Sequence, residues 1–309
     1  MARISAKENV LNYLELFSPV KKLGQHFITD NNVIKRSVEL ANIDLDSEVT
    51  ILEIGPGPGV LTQELIRTGA NIIAIELDKN AIKYLNQLFA EEIQSGKLEI
   101  IEGDALAVEW PDQITHIVSN IPYQISSPLL RKIESCSTKL RQIILLLQDE
   151  FASRLLGGNS SSNIGPLSLM TSLSWNVTKD LKISPKAFLP PPKIHSRIVN
   201  MERKDRLKEI VSTPIFQNND LPTPYFDLIR KICRHCFNNR RKKIRNTLQK
   251  FGGVNNFSPE SWNKIFSTLA DKKYEKYLGE NWLDKRPEEF EIREWVILSS
   301  IISKLSSRM

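Results

Sequence analysis

Short apolar runs alternate along the chain with segments whose apolar residues recur every three or four positions. The first pattern is typical of buried strands, and the second is typical of helices that pack on one face. Because strands and helices take turns, the pattern predicts an α/β fold with a mostly parallel, doubly wound sheet between two layers of helices. The candidate strands are Val49–Ile54, Ile72–Leu77, Leu98–Ile101, His116–Val118 and Gln142–Leu147, and the candidate helices are Leu61–Arg67, Ala81–Phe89 and Ser127–Ile133.

Prolines mark the place where this alternation ends. After the run Pro190–Pro192, residues Ser196–Met201 resume a strand-like pattern, which predicts a late antiparallel edge strand. Beyond residue 203, more prolines punctuate a loop-rich stretch, and helical spacing then dominates. We therefore predict an N-terminal helical extension over residues 1–20, an α/β domain over residues 21–202 and a small helical domain over residues 203–309.

Charge is divided unevenly between these predicted domains. Residues 203–309 carry 22 lysines and arginines against 13 acids, a net charge of +9. Residues 1–202 carry 20 against 23, a net charge of −3. A basic end on a near-neutral body favours a polyanionic partner such as nucleic acid, and a solvated basic surface is the alternative.

Several other classes of protein are disfavoured. The chain has no run of 18 apolar residues, so no membrane span is expected, and its N-terminus lacks the apolar core of a signal peptide. Three cysteines argue against a disulfide framework and for a reducing, cytoplasmic location. Cys233 and Cys236 have the spacing of a zinc motif without a second pair of ligands, so core packing is favoured and no metal is expected.

A glycine-rich loop, Glu53–Gly59, follows the first predicted strand. Glycines let a backbone turn sharply and approach a ligand closely, although a plain tight turn is the alternative. A dinucleotide fingerprint would place its third glycine at residue 60, which is Val60, whereas the third glycine here is Gly59. The loop instead resembles the E-x-G-x-G-x-G motif of S-adenosylmethionine-dependent methyltransferases.

Two acids close the next two predicted strands. Glu76 stands 21 residues after Gly55, where a carboxylate can accept both ribose hydroxyls of a nucleoside cofactor. Asp104, in Gly103–Ala105, is placed to accept from the cofactor's adenine amine. Either acid alone could be a helix N-cap. Together with the glycine loop they mark one edge of the sheet, where open α/β sheets bind ligands.

The motif Asn120–Tyr123 (N-I-P-Y) closes the fourth predicted strand. The Asn120 side chain and the Pro122 backbone offer two carbonyls that can accept both hydrogens of adenine's amine, while Tyr123 stacks on the ring. Such acceptors hold the amine pyramidal, aim its lone pair and stabilise the positive charge that develops on nitrogen. Positioning then supplies most of the rate, without a strong general base. A strand-ending turn is the alternative.

Seven sequence blocks resemble, in the same order, those of the KsgA-type ribosomal RNA adenine dimethyltransferases. The resemblance spans roughly residues 20–250 and implies a Rossmann-like class I methyltransferase domain over residues 21–202. It also implies dimethylation of two adjacent adenosines in the hairpin loop near the 3′ end of small-subunit rRNA, with S-adenosylmethionine as donor and a role in small-subunit biogenesis. The blocks are Lys22–Phe27, Glu53–Gly59, Glu76–Asp78, Gly103–Ala105, Asn120–Ser126, Gln148–Leu155 and Phe188–Ile194.

The same resemblance implies roles for individual residues. Gln25, His26 and Ile28 are expected at the methionine end of the cofactor, with Asn120 touching it from the substrate side. Phe188 is expected to stack on the target adenine opposite Tyr123, because an enzyme that modifies a base must take it out of its stack. The catalytic set is thus Asn120, Pro122, Tyr123 and Phe188, and the cofactor-binding set is Gln25, His26, Ile28, Gly55, Gly57, Glu76, Asp104, Ala105 and Asn120.

The basic stretch Arg230–Lys250 is the predicted RNA contact. It holds nine basic residues and no acid, and its apolar residues recur at helical spacing. Cations on the polar face of such a helix can follow phosphates, whereas a merely solvated face is the alternative. The residues expected to bind RNA are Arg234, Arg240, Arg241, Lys242, Lys243 and Arg245.

Parts of the chain depart from the family pattern. Ile164 stands where a tyrosine is common, His195 stands where an acid is usual, and residues 281–309 match no block. Erm-type methylases of large-subunit RNA share the N-I-P-Y motif, but Leu189–Lys193 and Gln148–Glu150 fit the small-subunit enzymes better.

A ribosome-assembly factor, in which RNA binding matters more than catalysis, is the rival from another functional class. Intact Glu76, Asp104 and Asn120 favour catalysis. The expected partner is small-subunit rRNA within an immature subunit, bound by a monomeric protein in the cytoplasm.

Overall fold

The computed structural model describes residues 4–44, 48–134, 139–156, 165–217, 221–254 and 257–307. Contacts divide the chain into two units, residues 1–153 with 176–203 and residues 154–175 with 204–309. The sequence-based boundaries stay predictions, and the contact grouping differs from them in two segments, because residues 1–20 group with the first unit and residues 154–175 with the second. Helix Pro166–Ser174 buries Leu169, Met170 and Leu173 among the apolar side chains of the C-terminal helices, so it groups with them.

The first unit contains a seven-stranded sheet in the order β4-β3-β2-β5-β6-β9-β7. Strands β2 to β6 run parallel, and β9 pairs antiparallel with β6. A separate antiparallel pair joins β1 to β8. The strands are β1 Phe27–Ile28, β2 Thr50–Ile54, β3 Asn71–Glu76, β4 Leu98–Glu102, β5 His116–Ser119, β6 Gln142–Gln148, β7 Trp175–Ile183, β8 Phe188–Leu189 and β9 Ser196–Arg203.

The five strands predicted from apolar runs are confirmed within one or two residues. Their sequences read as nearly continuous apolar runs because helices cover both faces of a parallel sheet. The antiparallel strand predicted at Ser196 is confirmed as β9, but it is not the outermost strand of the sheet, because β7, which the pattern did not single out, lies outside it. Since β2 lies between β3 and β5, the chain order reverses there, and the carboxyl ends of these strands frame a crevice.

Seven helices that the structure describes accompany these strands. The three predicted helices are confirmed as α3, α4 and α6. Helix α1 belongs to the same unit, because Val10 and Tyr13 are buried in the core cluster that also contains the sheet residues. The helices are α1 Ala6–Leu16, α2 Asn31–Leu40, α3 Val60–Ile66, α4 Lys79–Leu88, α5 Ala90–Gln94, α6 Ser126–Ile133 and α7 Asp149–Leu155.

The second unit is helical around its own apolar core. Cys233 and Cys236 are free and fully buried there, so the predicted core packing of this pair is confirmed. No helix in the described part of the chain is long and apolar enough to span a membrane. The helices are α8 Pro166–Ser174, α9 Arg206–Val211, α10 Pro214–Gln217, α11 Phe226–Phe237, α12 Ile244–Leu248, α13 Pro259–Leu269, α14 Glu275–Leu278 and α15 Ile292–Ser306.

Candidate active site

One cavity lies at the carboxyl ends of β2 to β5. Its walls are the glycine loop after β2, the residues that follow β3, β4 and β5, and a strap formed by residues 23–28. Five separate parts of the sequence therefore meet at one edge of the sheet. The cavity is lined by all nine predicted cofactor-binding residues and by two further predicted catalytic residues: Gln25, His26, Ile28, Gly55, Gly57, Glu76, Asp104, Ala105, Asn120, Pro122 and Tyr123.

The glycine loop has a backbone shape that other residues adopt only with strain. Gly57 and Gly59 have φ angles of +54° and +78°, in the left-handed region. A Cβ on Gly57 would lie 2.9 Å from a ring carbon of Phe27, and one on Gly59 would lie 2.5 Å from a ring carbon of Phe89. Both positions therefore need glycine for conformation and for space, which explains why the third glycine stands at residue 59.

Glu76 is a buried acid held by backbone donors at the end of β3. Its Oε2 accepts the N–H of Gly57 at 3.0 Å, and its Oε1 accepts the N–H groups of Leu77 and Asp78 at 2.8 Å each. Burial raises the pKa of Glu76, while these three donors oppose that shift. The carboxyl group thus links the glycine loop to the end of β3 in a fixed orientation.

Glu53 also lines the cavity, although the sequence analysis gave it no role. It is 2% exposed, and its Oε2 accepts the hydroxyl of Thr62 at 2.6 Å. Burial raises the pKa of Glu53 to about 8, so this carboxyl group is mostly protonated at neutral pH. The signal that could have found it is the first letter of the E-x-G-x-G-x-G pattern.

The loop after β4 presents Asp104 to the cavity and is held from behind by Lys132. Asp104 is exposed, and its Oδ1 accepts the N–H of Leu106 at 2.8 Å. The carbonyl of Ala105 accepts from the Trp110 indole and from the Lys132 ammonium group, each at 2.9 Å. The same ammonium group lies 4.9 Å from the centre of the Trp110 ring. Neither support residue was anticipated, because such contacts join segments far apart in sequence.

Asn120 is held in one orientation by the strap. Its Nδ2 donates to the His26 carbonyl at 3.0 Å. A carbonyl can only accept, so the amide nitrogen must face the strap, and Oδ1 is left as the acceptor. The Pro122 carbonyl accepts the N–H of Ile125 at 3.1 Å, whereas the described residues offer no donor to the carbonyl of Ile121, which also lines the cavity.

Tyr123 faces an imidazole ring across the site. The rings of His26 and Tyr123 lie 6.0 Å apart at an interplanar angle of 25°. His26 Nδ1 donates to the Pro190 carbonyl at 2.8 Å, and the Tyr123 hydroxyl contacts Ser196 Oγ at 2.5 Å. Both aromatic side chains are therefore held by hydrogen bonds, His26 through its ring nitrogen Nδ1 and Tyr123 through its hydroxyl group.

Phe188 is the predicted catalytic residue that does not join the cavity wall. It is 3% exposed and packs in the core cluster of the first unit, where its backbone pairs with that of Ile28. The neighbour of Tyr123 in this structure is the His26 ring rather than the Phe188 ring. Stacking of Phe188 on a base stays a prediction.

In the described part of the chain, no group of three or more His, Cys, Asp or Glu side chains is arranged so that it could hold a metal ion. Of the two positions that depart from the family pattern, Ile164 lies outside the described residues. His195 is exposed, and its carbonyl accepts the N–H of Asp149 at 3.0 Å.

Comparison with known proteins settles the family. The family described as "Ribosomal RNA adenine dimethylase" matches residues 17–278. The chain belongs to this family. The resemblance drawn from the seven sequence blocks is thus confirmed, as is the expectation of an rRNA adenine dimethyltransferase enzyme.

Relatives of this family member cover nearly its whole length. The probable ribosomal RNA small subunit methyltransferase A of Methanospirillum hungatei is 32% identical over 279 residues, which is 90% of this chain and 97% of that protein. A dimethyladenosine transferase structure from Plasmodium falciparum superposes with a TM-score of 0.71 at 26% identity, covering 91% and 98% of the two chains. The 23S rRNA methyltransferase ErmE superposes with a TM-score of 0.58 at 20% identity, covering 91% and 99%, which speaks for the fold alone. The predicted Rossmann-like class I methyltransferase fold is confirmed.

The class of methyl donor follows from the family and suits the cavity. Class I enzymes of this kind use S-adenosylmethionine, whose ribose needs hydroxyl acceptors and whose adenine needs an amine acceptor. The cavity offers the fixed carboxyl group of Glu76 at one strand end and the exposed carboxylate of Asp104 at the next. Gly55 and Gly57 also line the cavity, and because glycine has no side chain, a ligand can approach their backbone closely.

The predicted RNA-binding residues of this family member lie in the second unit, around a turn between α11 and α12. The apolar positions expected at helical spacing are buried, among them Ile229, Ile232, Ile244 and Leu248. The basic residues do not share one helix face, because the helix ends at Phe237 and four of them fall in the turn. The four are Arg240, Arg241, Lys242 and Lys243.

Proposed function

We propose that this family member uses S-adenosylmethionine to form N6,N6-dimethyladenosine at two adjacent adenosines in the hairpin loop near the 3′ end of small-subunit rRNA. Conversion would take place on an immature subunit, as a step of ribosome biogenesis. The observation that carries the proposal is the fixed orientation of Asn120, whose Oδ1 is left to accept from a substrate amine. The small-subunit methyltransferases among the relatives support the choice of RNA.

Binding of the methyl donor falls to residues on three strand ends. Bound S-adenosylmethionine supplies an electrophilic methyl group. The Oε2 atom of Glu76 retains lone-pair capacity beside the Gly57 N–H and can accept from ribose hydroxyls. Asp104 engages the backbone through Oδ1 alone among the described residues, so its second oxygen can accept from the adenine amine.

The substrate amine is bound by carbonyl groups at the end of β5. Asn120 Oδ1 accepts one hydrogen, and a backbone carbonyl of the motif accepts the other. The carbonyl of Pro122 keeps one lone pair beside its bond to Ile125, and the carbonyl of Ile121, to which no described backbone N–H donates, is the other candidate. Two acceptors draw the nitrogen towards pyramidal geometry and stabilise the positive charge that it gains. The proton can then leave to water, so the cavity needs no strong base.

Tyr123 provides the surface on which the flipped adenine stacks. Its hydroxyl is anchored by Ser196, so the ring cannot swing away from the motif. Stacking of a base on an aromatic ring contributes about 1–3 kcal/mol, which offsets part of the cost of taking the base out of its own stack. The sequence-based expectation that Phe188 covers the opposite face requires this buried ring to become accessible when RNA binds.

Contact with the rest of the RNA is assigned to the second unit. Its net positive charge makes the binding of a polyanion more favourable, and the cations of the α11–α12 turn can neutralise phosphates. The monomeric state and the cytoplasmic location expected from the sequence remain part of this proposal.

The deciding assay incubates the protein with labelled S-adenosylmethionine and small subunits that lack dimethyladenosine. We expect label in two adjacent adenosines of the 3′ hairpin, identified by mass spectrometry of nuclease fragments. Large-subunit RNA serves as the comparison substrate, because the Erm-type fold is shared. Label confined to large-subunit RNA would establish the rival substrate, and no transfer to either RNA would contradict the enzymatic proposal.

A further inference from the structure

Helix α1 supports the wall of the cofactor cavity through two buried polar side chains, neither of which lines the cavity itself. Asn9 and Tyr13 stand four residues apart, so both project from the same face of the helix. They are 1% and 0% exposed, and polar groups buried this deeply need defined partners. One partner, Pro58, lines the cavity, and another, Asp78, directly follows the lining residues Glu76 and Leu77.

Asn9 holds the glycine loop. Its Nδ2 donates to the carbonyl of Pro58 at 3.1 Å, and its Oδ1 accepts the hydroxyl of Tyr84 at 2.9 Å. A carbonyl can only accept, so the amide has one orientation in which both of its ends are used. Pro58 follows Gly57 directly, which places the anchor at the part of the loop that lines the cavity.

Tyr13 holds the end of β3 and the strap. Its hydroxyl donates to Asp78 Oδ2 at 3.4 Å, and the same oxygen accepts from Gln25 Nε2 at 2.7 Å. Its ring meets the Phe27 ring edge-on, with centroids 5.4 Å apart. Phe27 in turn packs against Gly57, where a Cβ would come within 2.9 Å of it.

These contacts form a chain of hydrogen bonds that begins at one residue of α1 and returns to another. Asn9 binds the loop at Pro58, and the N–H of the adjacent Gly57 donates to Glu76. Glu76 accepts the N–H of Asp78, and Asp78 accepts the hydroxyl of Tyr13. All four hydrogen bonds are buried, so water does not readily replace them. Helix α1 therefore spans the glycine loop and the acid that together frame the nucleoside side of the cavity.

We infer that α1 is a clamp of the cofactor cavity, in which Asn9 and Tyr13 are positioning residues that hold the glycine loop and Glu76 at the spacing that S-adenosylmethionine requires. The inference rests on the proposed function, since it takes the methyl donor as the ligand. Coupling between two sites is reciprocal. Binding of the donor must therefore stabilise the contacts of α1 by as much as α1 strengthens binding of the donor.

Two substitutions in the full-length protein test the clamp. Asn9→Asp keeps the size of the side chain but replaces the donor that faces Pro58 with an oxygen, and Tyr13→Phe removes only the hydroxyl. Leu11→Ala, on the same helix and 43% exposed, is the matched control. The probe is S-adenosylhomocysteine, and its Kd is measured by isothermal titration calorimetry. We expect the Kd to rise about three- to tenfold in Tyr13→Phe, the effect of losing one net hydrogen bond, and to stay unchanged in the control. In Asn9→Asp it should rise further, because a carboxyl oxygen then faces the Pro58 carbonyl in a buried site.

Two further readouts separate a clamp from a helix that merely stabilises the fold. The KM for the methyl donor should rise while kcat at saturating donor is retained, and hydrogen exchange in α1 should slow when S-adenosylhomocysteine binds to the wild-type protein. Unchanged Kd values together with a lower Tm would overturn the inference. If the wild-type protein failed to bind S-adenosylhomocysteine, the proposed function itself would fall, so the two failures are distinguishable.

Discussion

At the scale of the residue, the chemistry depends on the orientation of one amide group. Asn120 donates through Nδ2 to the strap at His26, and this contact decides which of its two ends accepts from a ligand. In the proposed function a backbone carbonyl of the adjacent motif supplies the second acceptor, and Ile121 and Pro122 both line the same cavity. If the proposed function holds, the strap contributes to catalysis by fixing this acceptor, in addition to lining the cavity.

We predict that Asn120→Ala lowers kcat by about a hundredfold or more, as loss of one group that stabilises transition-state charge does. RNA affinity should stay unchanged, since the assigned phosphate contacts lie in the second unit. Methyl transfer is measured with labelled donor, and RNA binding by fluorescence anisotropy. Asn86→Ala, at an exposed asparagine of α4, is the control. Equal loss of binding and transfer would show that the role of Asn120 is misassigned.

Glu53 gives a second prediction, which concerns stability against pH. Its pKa is raised by burial from 4.5 to about 8 in the folded chain. Between these values the folded chain keeps a proton that the unfolded chain has released, so stability falls as pH rises through this window and levels off above it. Glu53→Gln cannot titrate, and its Tm should decline less between pH 5 and pH 8 than that of the wild-type protein.

The measurement is a series of thermal melts across that pH range. Glutamine can still accept the Thr62 hydroxyl, so the packing around residue 53 is retained. Glu91→Gln, at an exposed acid of α5, should keep the wild-type pH dependence. Parallel curves for Glu53→Gln and the wild-type protein would mean that Glu53 does not hold its proton.

At the scale of the element, the basic turn between α11 and α12 is balanced by acids from a later segment. Lys243 and Arg245 both contact Oδ1 of Asp284, the former at 3.2 Å, and Arg240 contacts Glu288 at 3.3 Å. Residues 281–309 matched no family block, yet they supply these partners. The pairing holds the long cationic side chains in place, and it also competes with phosphate for them.

Asp284→Asn tests that competition. Because one carboxylate oxygen serves two cations, its removal should increase affinity for an rRNA hairpin several-fold and make that affinity more sensitive to salt. Anisotropy titrations at several salt concentrations measure both effects. Asp271→Asn, an exposed acid of the same unit paired with Lys273, is the control. Weaker RNA binding by Asp284→Asn would instead assign Asp284 to ordering the turn.

At the scale of the whole molecule, charge and chemistry are carried by different units. The cavity lies within the first unit, whereas residues 203–309 carry the net charge of +9. Among the acceptors expected to hold the cofactor, Glu76 is buried, so salt screens its hydrogen bonds weakly. The second unit is proposed to bind RNA through cations that are mostly exposed, and salt weakens such phosphate contacts strongly.

Raising the salt concentration should therefore separate the two functions. We expect RNA affinity to fall by more than about tenfold between about 50 and 200 mM salt, since several phosphate contacts release counterions. The Kd for S-adenosylhomocysteine should change little over the same range. Anisotropy and calorimetry on the same preparation provide the comparison, and parallel weakening of both ligands would contradict the division of roles.

Much of the fold and of the cavity could be predicted from the sequence because both depend on local patterns. Apolar runs located β2 to β6 within one or two residues, and strand ends identified Glu76, Asp104 and Asn120 before any contact was known. The two-residue strands β1 and β8 carry no periodic signal, and β7 has a mixed burial pattern. The helical spacing predicted for the basic stretch Arg230–Lys250 does not continue through it, because the helix ends at Phe237 and the turn that follows has no glycine or proline to mark it.

The groups that meet at the sheet edge follow from the order of strands and motifs along the chain, because parallel strands bring their carboxyl ends together whatever the loops do. How those groups are oriented and supported depends instead on long-range packing. The strap fixes the amide of Asn120, α1 holds the glycine loop through Asn9, and Phe188 packs in the core rather than in the cavity wall. Such contacts join residues far apart in the chain, and their geometry depends on the packing of complete elements, which no local pattern records.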